Sequence, residues 1–156
     1  LAATSANGTP GIVGVMVGAR YVDNNGQLLF KQFLPANATT SGFTEIKIMV
    51  NDDPRQLYKI QGNAALGTFN SGTDGSGFAG AVGKNCSLDF STSGSTSTGN
   101  SGVSLKIDTN GGTLAATETL AMRVIDVVEG TETDNFPEFI VKFNVGVHAY
   151  DNSLGV

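Results

Sequence analysis

The sequence predicts an all-β protein, an antiparallel β-sandwich or barrel-like single domain with long Gly/Ser/Thr-rich loops. Apolar and polar residues alternate over several short stretches, the period of a half-buried strand. The composition is poor in charge (15 %), holds 21 Gly and lacks Trp, which favours strands joined by turns. No stretch of ten or more residues carries apolar positions at i, i+3 and i+4, so no amphipathic helix is expected. A chain of 156 residues suits one domain that buries roughly two-thirds of its unfolded surface without disulfide staples.

Residues 1–10, LAATSANGTP, are small, polar and without periodicity, and read as a flexible N-terminal arm. Residues 11–150 read as the β domain and 151–156 as a C-terminal tail. The first strand is expected over Ile12–Val22, with Val13, Val15, Val17, Ala19 and Tyr21 on one side. Asp23-Asn24-Asn25-Gly26 predicts a hairpin of type I′, because Asn-Gly tolerates positive φ. The strand returns over Gln27–Leu34, with Leu28, Phe30 and Leu34 on one face. After a loop from Pro35 to Gly42, Thr44, Ile46, Ile48 and Val50 alternate with Glu45, Lys47 and Met49. Asn51-Asp52-Asp53-Pro54 stops that strand, since Pro lacks an N–H and Asn and Asp favour turns. Leu57–Gln61 resumes in extended form.

Residues 62–102 are rich in Gly and Asn, and Ser91–Gly102 is the stretch of lowest complexity, expected as a surface loop. Val103, Leu105 and Ile107 alternate, and Asn110-Gly111-Gly112 turns the chain. Thr113–Thr119 has a slight helical tendency. Leu120–Val128 reads as a central strand, and the last strand puts Phe139, Val141, Phe143, Val145 and Val147 on one face against Lys142, Asn144 and His148.

Few residues suggest chemistry. Gly75–Gly80 matches G-x-G-x-x-G by letter, but no strand precedes it and no helix follows, so no dinucleotide site is expected. Cys86 is the single cysteine and is expected as a small buried hydrophobe. His148 is the single histidine, expected to be solvated or at an interface, so nucleophilic triads and His/Cys metal sites lack their parts. Asp52 and Asp53 are the one carboxylate cluster, and before a proline they read as turn formers. No catalytic residue, cofactor or metal is expected. The net charge of −5, with nine scattered Lys and Arg, argues against a nucleic-acid partner. No run of 18 apolar residues predicts a membrane helix. No charged segment leads into an apolar core, so no signal peptide is expected.

Several short motifs carry a resemblance. They are Val13-Gly14-Val15 leading to Tyr21-x-Asp23, then Gln27-Leu28-Leu29-Phe30 and Pro35-Ala36, then Val50-Asn51-Asp52-Asp53-Pro54 with Tyr58-x-Ile60-Gln61, and finally Ile140-Val141, Val145 and His148-x-Tyr150. Their order resembles small β-rich structural proteins of tailed bacteriophages, marine and cyanophage types above all, that decorate or cement the head. The middle of the chain, 70–102, departs from that pattern.

The resemblance implies a virion structural protein on the outer surface of the capsid. It would stabilise the shell by bridging neighbouring copies of the major capsid protein, and it implies no catalytic residues. Three-fold positions on a shell make a homotrimer the first expectation. Candidate contact elements are the arm, with Leu1, Thr4, Asn7 and Pro10, and exposed strand edges. Tyr21, Phe33, Tyr58 and Tyr150 are candidate interface anchors, with core burial as the competing reading. The alternative function is a receptor- or glycan-binding module, such as a tail-fibre or secreted lectin-like domain. The lack of Trp weakens it, because sugars stack on aromatics.

Overall fold

A computed structural model describes residues 11–66, 80–95, 98–107 and 114–151. The fold is all-β, as expected, with eight strands and no α-helix among the described residues. The strands are β1 (Val15–Val22), β2 (Leu28–Lys31), β3 (Thr44–Asn51), β4 (Tyr58–Gln61), β5 (Asn85–Asp89), β6 (Ser104–Lys106), β7 (Met122–Val127) and β8 (Glu138–Phe143). They form two antiparallel sheets, one ordered β2-β1-β3 and the other β4-β8-β7-β5-β6.

The five-stranded sheet holds the main core. Phe139, Val141 and Phe143 on β8, Met122, Val124 and Val127 on β7, Cys86 and Leu88 on β5, and Leu105 on β6 are all buried in one cluster. The sheet curls into a half-barrel whose two edges meet where Gly62, just past β4, bridges Leu105. Asn63 fastens that seam three ways. Its backbone N–H donates to the Leu105 carbonyl at 2.9 Å, its Oδ1 accepts from the Ile107 N–H at 2.9 Å, and its Nδ2 donates to Asp89 Oδ2 at 2.9 Å.

This clip has a pH signature. The Asp89 carboxyl is held below its usual value of 3.8, first by the Ser91 backbone N–H, then by the Ser91 side chain and by Asn63. A lowered folded-state value means that the stabilisation is present above about pH 4 and is lost as the pH falls through the folded value. In urea unfolding at stepped pH, the stability gap between the wild type and Asp89→Asn is expected to be constant near neutrality and to narrow below about pH 4. A gap independent of pH would count against an ionised Asp89 in the clip.

The segment 114–120 runs beside the start of β5, with Leu114 in the core cluster. Asn85 exchanges backbone hydrogen bonds with Ala115 at 2.7 and 2.9 Å, and its Nδ2 donates to the Thr117 carbonyl. Its Oδ1 accepts from Arg123 Nε at 2.9 Å. Asn144 donates to the Glu118 and Leu120 carbonyls. Both asparagines are buried yet bonded, as buried amides must be. The bridge at Ala115 and the turn from Thr117 to Leu120 stand where the sequence carries a slight helical tendency.

The three-stranded sheet keeps the expected alternation over residues 47–50 and departs from the expected reading in three places. Arg20 pairs with Lys47 but Val22 with Thr44, and Glu45 has a φ of 51°, so β3 carries an extra residue there that takes Thr44 out of phase with Ile48 and Val50. Met16 pairs with Val50 and Gly18 with Met49, so Val17 is an extra residue. That β-bulge puts Met16, rather than Val15, in phase with Ala19 and Ile48. The hairpin after β1 exists, but within its turn only Gly26 has a positive φ, at 77°. The Gly26 N–H donates to the Asp23 carbonyl, while Asp23 Oδ1 accepts the N–H groups of Asn25 and Gln27 at 2.9 and 2.8 Å. The turn is thus of type I with a left-handed glycine after it, not type I′.

The last strand ends at Phe143, earlier than its periodicity suggests. The chain turns through Asn144–Val147, which leaves Val145 exposed and buries Val147. His148 is 1 % exposed, against the expectation of a solvated or interface histidine. It forms a parallel bridge with Ile12, flanked by Gly11 N–H to Val147 O at 3.2 Å and Ala149 N–H to Ile12 O at 2.8 Å. Cys86 is fully buried, as expected, with its thiol donating to the Lys106 carbonyl.

Candidate functional site

Among the described residues two surfaces lack cover: an apolar groove in the half-barrel and one face of the three-stranded sheet.

The groove has a volume of about 230 Å³. Strands β4 and β8 supply Tyr58, Ile60, Val141 and Phe143, β7 supplies Met122, and Leu88, Phe90 and Val103 close the far side. Ile12, Gly14 and Val15 reach it from the entry to β1. Gly14 is required there. Its φ is 153°, and a Cβ would collide with the Asn51 carbonyl oxygen and stand 2.9 Å from its carbon and 3.0 Å from Asp52 Cα. The Tyr58 ring meets Phe143 edge-on at 5.5 Å, and its hydroxyl donates to the Asn51 carbonyl at 3.4 Å.

The Tyr58 hydroxyl is pushed up from its usual value, first by burial and then by the charges of Asp53 and Asp52. The acidic turn begins beside the groove, since Asn51 accepts from Tyr58 and Asp52 Cα lies 3.0 Å from where a Cβ on Gly14 would sit. Its carboxylates also shape the turn, since Asp53 Oδ1 accepts the Arg55 N–H at 2.8 Å. Lys59, the charged residue lining the groove, is paired with Glu138 at 2.9 Å.

The uncovered sheet face follows from register. Arg20 stands opposite Phe30 on one side and Lys47 on the other, so the three share a row. Leu28, opposite Val22, and Met49, opposite Gly18, extend the same face. Phe30 is 65 % exposed, and Leu28, Met49 and the bulge residue Val17 are exposed as well. Arg20 pairs with Glu45 at 3.1 Å. The opposite face is covered in part, with Ala19 and Tyr21 buried and Ile48 45 % exposed.

The expected anchors fall in different places. Tyr21 is 3 % exposed and stacks on Phe43 at 4.9 Å and 4°, so it is core and cannot anchor a partner. Phe33 is half-buried over Gly99, where an added Cβ would run into its ring. Tyr58 lines the groove. Tyr150 is 62 % exposed beside His148, with ring centres 5.6 Å apart. Leu1, Thr4, Asn7 and Pro10 lie outside the described residues, as do Gly75–Ala79 of the glycine motif.

Phe30, the most exposed large apolar side chain among those described, is absent from the anchors expected from sequence. Its signal is Leu28-Leu29-Phe30, a short strand apolar on both faces. Among the described residues no group of three or more His, Cys, Asp and Glu could hold a metal ion. No protein-family model, curated protein or solved structure matches the chain.

Proposed function

We propose that the chain is a virion structural protein that decorates the outer surface of a phage capsid. It stabilises the shell by bridging neighbouring major capsid subunits. The observation that carries this reading is the uncovered apolar face around Phe30, Leu28 and Met49. Water-exposed apolar side chains held on an ordered sheet are the signature of a surface made to be covered by another protein. The head-protein motifs read from the sequence point to a phage shell as the setting of that contact.

A shell is strained by its packaged DNA, and a protein that binds adjacent subunits together stabilises the intact state over the ruptured one by linkage. Capsids lacking the chain are expected to rupture at a lower temperature than capsids to which it has been added back, as read by release of dye-accessible DNA. Identical rupture curves with saturating protein would remove the cementing role.

A further inference from the structure

We infer that Phe30 of one copy inserts into the apolar groove of a second copy of this chain, forming a heterologous contact that closes into a ring. The inference deepens the structural role proposed above and rests on it. Phe30 projects 65 % exposed from an edge strand, and the groove of about 230 Å³ is lined almost wholly by apolar side chains. An apolar cavity of roughly 150 Å³ already accepts a benzene ring, so the groove has room for the phenyl group.

The charges around knob and hole are complementary. Phe30 shares its face with Arg20, Lys47 and Glu45, which leaves one positive charge in excess. Asp52 and Asp53 follow Asn51, which meets Tyr58 and Gly14 at the rim, with Arg55 next in the turn, and Lys59 there is neutralised by Glu138. One negative charge is in excess on that side. A face-to-face contact between two copies of the Phe30 surface would instead oppose like charges.

The knob cannot fill its own hole. Phe30 is level with Arg20 on β1, well beyond Val15 at the groove, about 17 Å along an extended strand. Knob and hole are therefore separate patches, and a contact between unlike patches closes into a ring or runs on as a filament. A ring leaves no knob or groove open, whereas a filament leaves one of each exposed at its ends.

The test uses two variants, Phe30→Asp at the knob and Phe90→Asp at the groove's exposed rim. Both are checked for wild-type circular dichroism and melting before sedimentation velocity. The wild type is expected to sediment as a closed oligomer and each variant alone as a monomer. An equimolar mixture of the two is expected to form a dimer, because one copy still offers a knob and the other a groove. A monomeric wild type, a variant that still assembles, or a mixture that stays monomeric would each overturn the inference. A wild type that stays monomeric in solution yet cements capsids overturns the ring and leaves decoration standing. A ring that ignores capsids does the reverse.

Discussion

Gly14→Ala is expected to destabilise the fold by about 3 kcal/mol or more, the largest effect of any glycine substitution near the groove. Two costs combine. The φ of 153° lies where L-residues are strained, and the added methyl meets backbone, the Asn51 carbonyl group and Asp52 Cα. Backbone cannot rotate away as a side chain can. Val15 and Asn51 pair at this end of β1 and β3, so relief requires parting the strands beside the groove. Gly26→Ala is the control. Its φ of 77° is also left-handed, but nothing lies within 4 Å of its Cβ position. A loss of about 1–2 kcal/mol is expected there. Urea unfolding of both variants reads the difference, and equal losses would show that the close approach at Gly14 carries no weight.

Phe139→Ala is expected to cost about 3–5 kcal/mol. Phe139 is 0 % exposed at the centre of the half-barrel, opposite Ile60 on β4 and Val127 on β7. Truncation leaves a void in a sheet already fixed in curvature by its seam. Phe30→Ala changes the same residue type on the exposed face and is expected to alter monomer stability by less than about 0.5 kcal/mol. That contrast separates a phenylalanine that holds the fold from one that faces a partner. Similar losses at both positions would mean that Phe30 is structural.

Much of the fold is legible in the sequence because period-2 alternation is a local signal. Thr44–Asn51 and the hairpin at Asp23–Gly26 stand out at once. What is hidden depends on distant chain. Strand β5 runs through the Gly- and Asn-rich region because its outward residues Asn85 and Ser87 are buried, Asn85 by the segment at Ala115 and Thr117. Polar residues at covered positions hide a central strand from any hydrophobicity pattern. The bulge at Val17 shifts phase without a change in composition. His148 looks polar-faced only when its strand is carried past Phe143, where Asn144 instead turns inward to cap carbonyls.

The candidate site is less legible than the fold. Alternation marks two faces of a strand but not which one a neighbour covers. Tyr21 and Phe30 look equally apolar in sequence, yet Phe43 stacks on Tyr21 and no described residue covers Phe30. The groove draws on residues from Ile12 to Phe143, so no local motif announces it. Sequence marks Tyr58 as an anchor and the acidic residues beside it as a turn, and only the fold places them on one rim.

Co-sedimentation of the purified chain with phage capsids that lack it tests the central claim most directly. The account predicts saturable binding at a fixed ratio to the major capsid subunit, weakened by Phe30→Asp because the variant loses the ring and with it the avidity of several linked copies. Absence of binding by a chain that is folded and assembled would contradict it and turn attention to the receptor- or glycan-binding alternative.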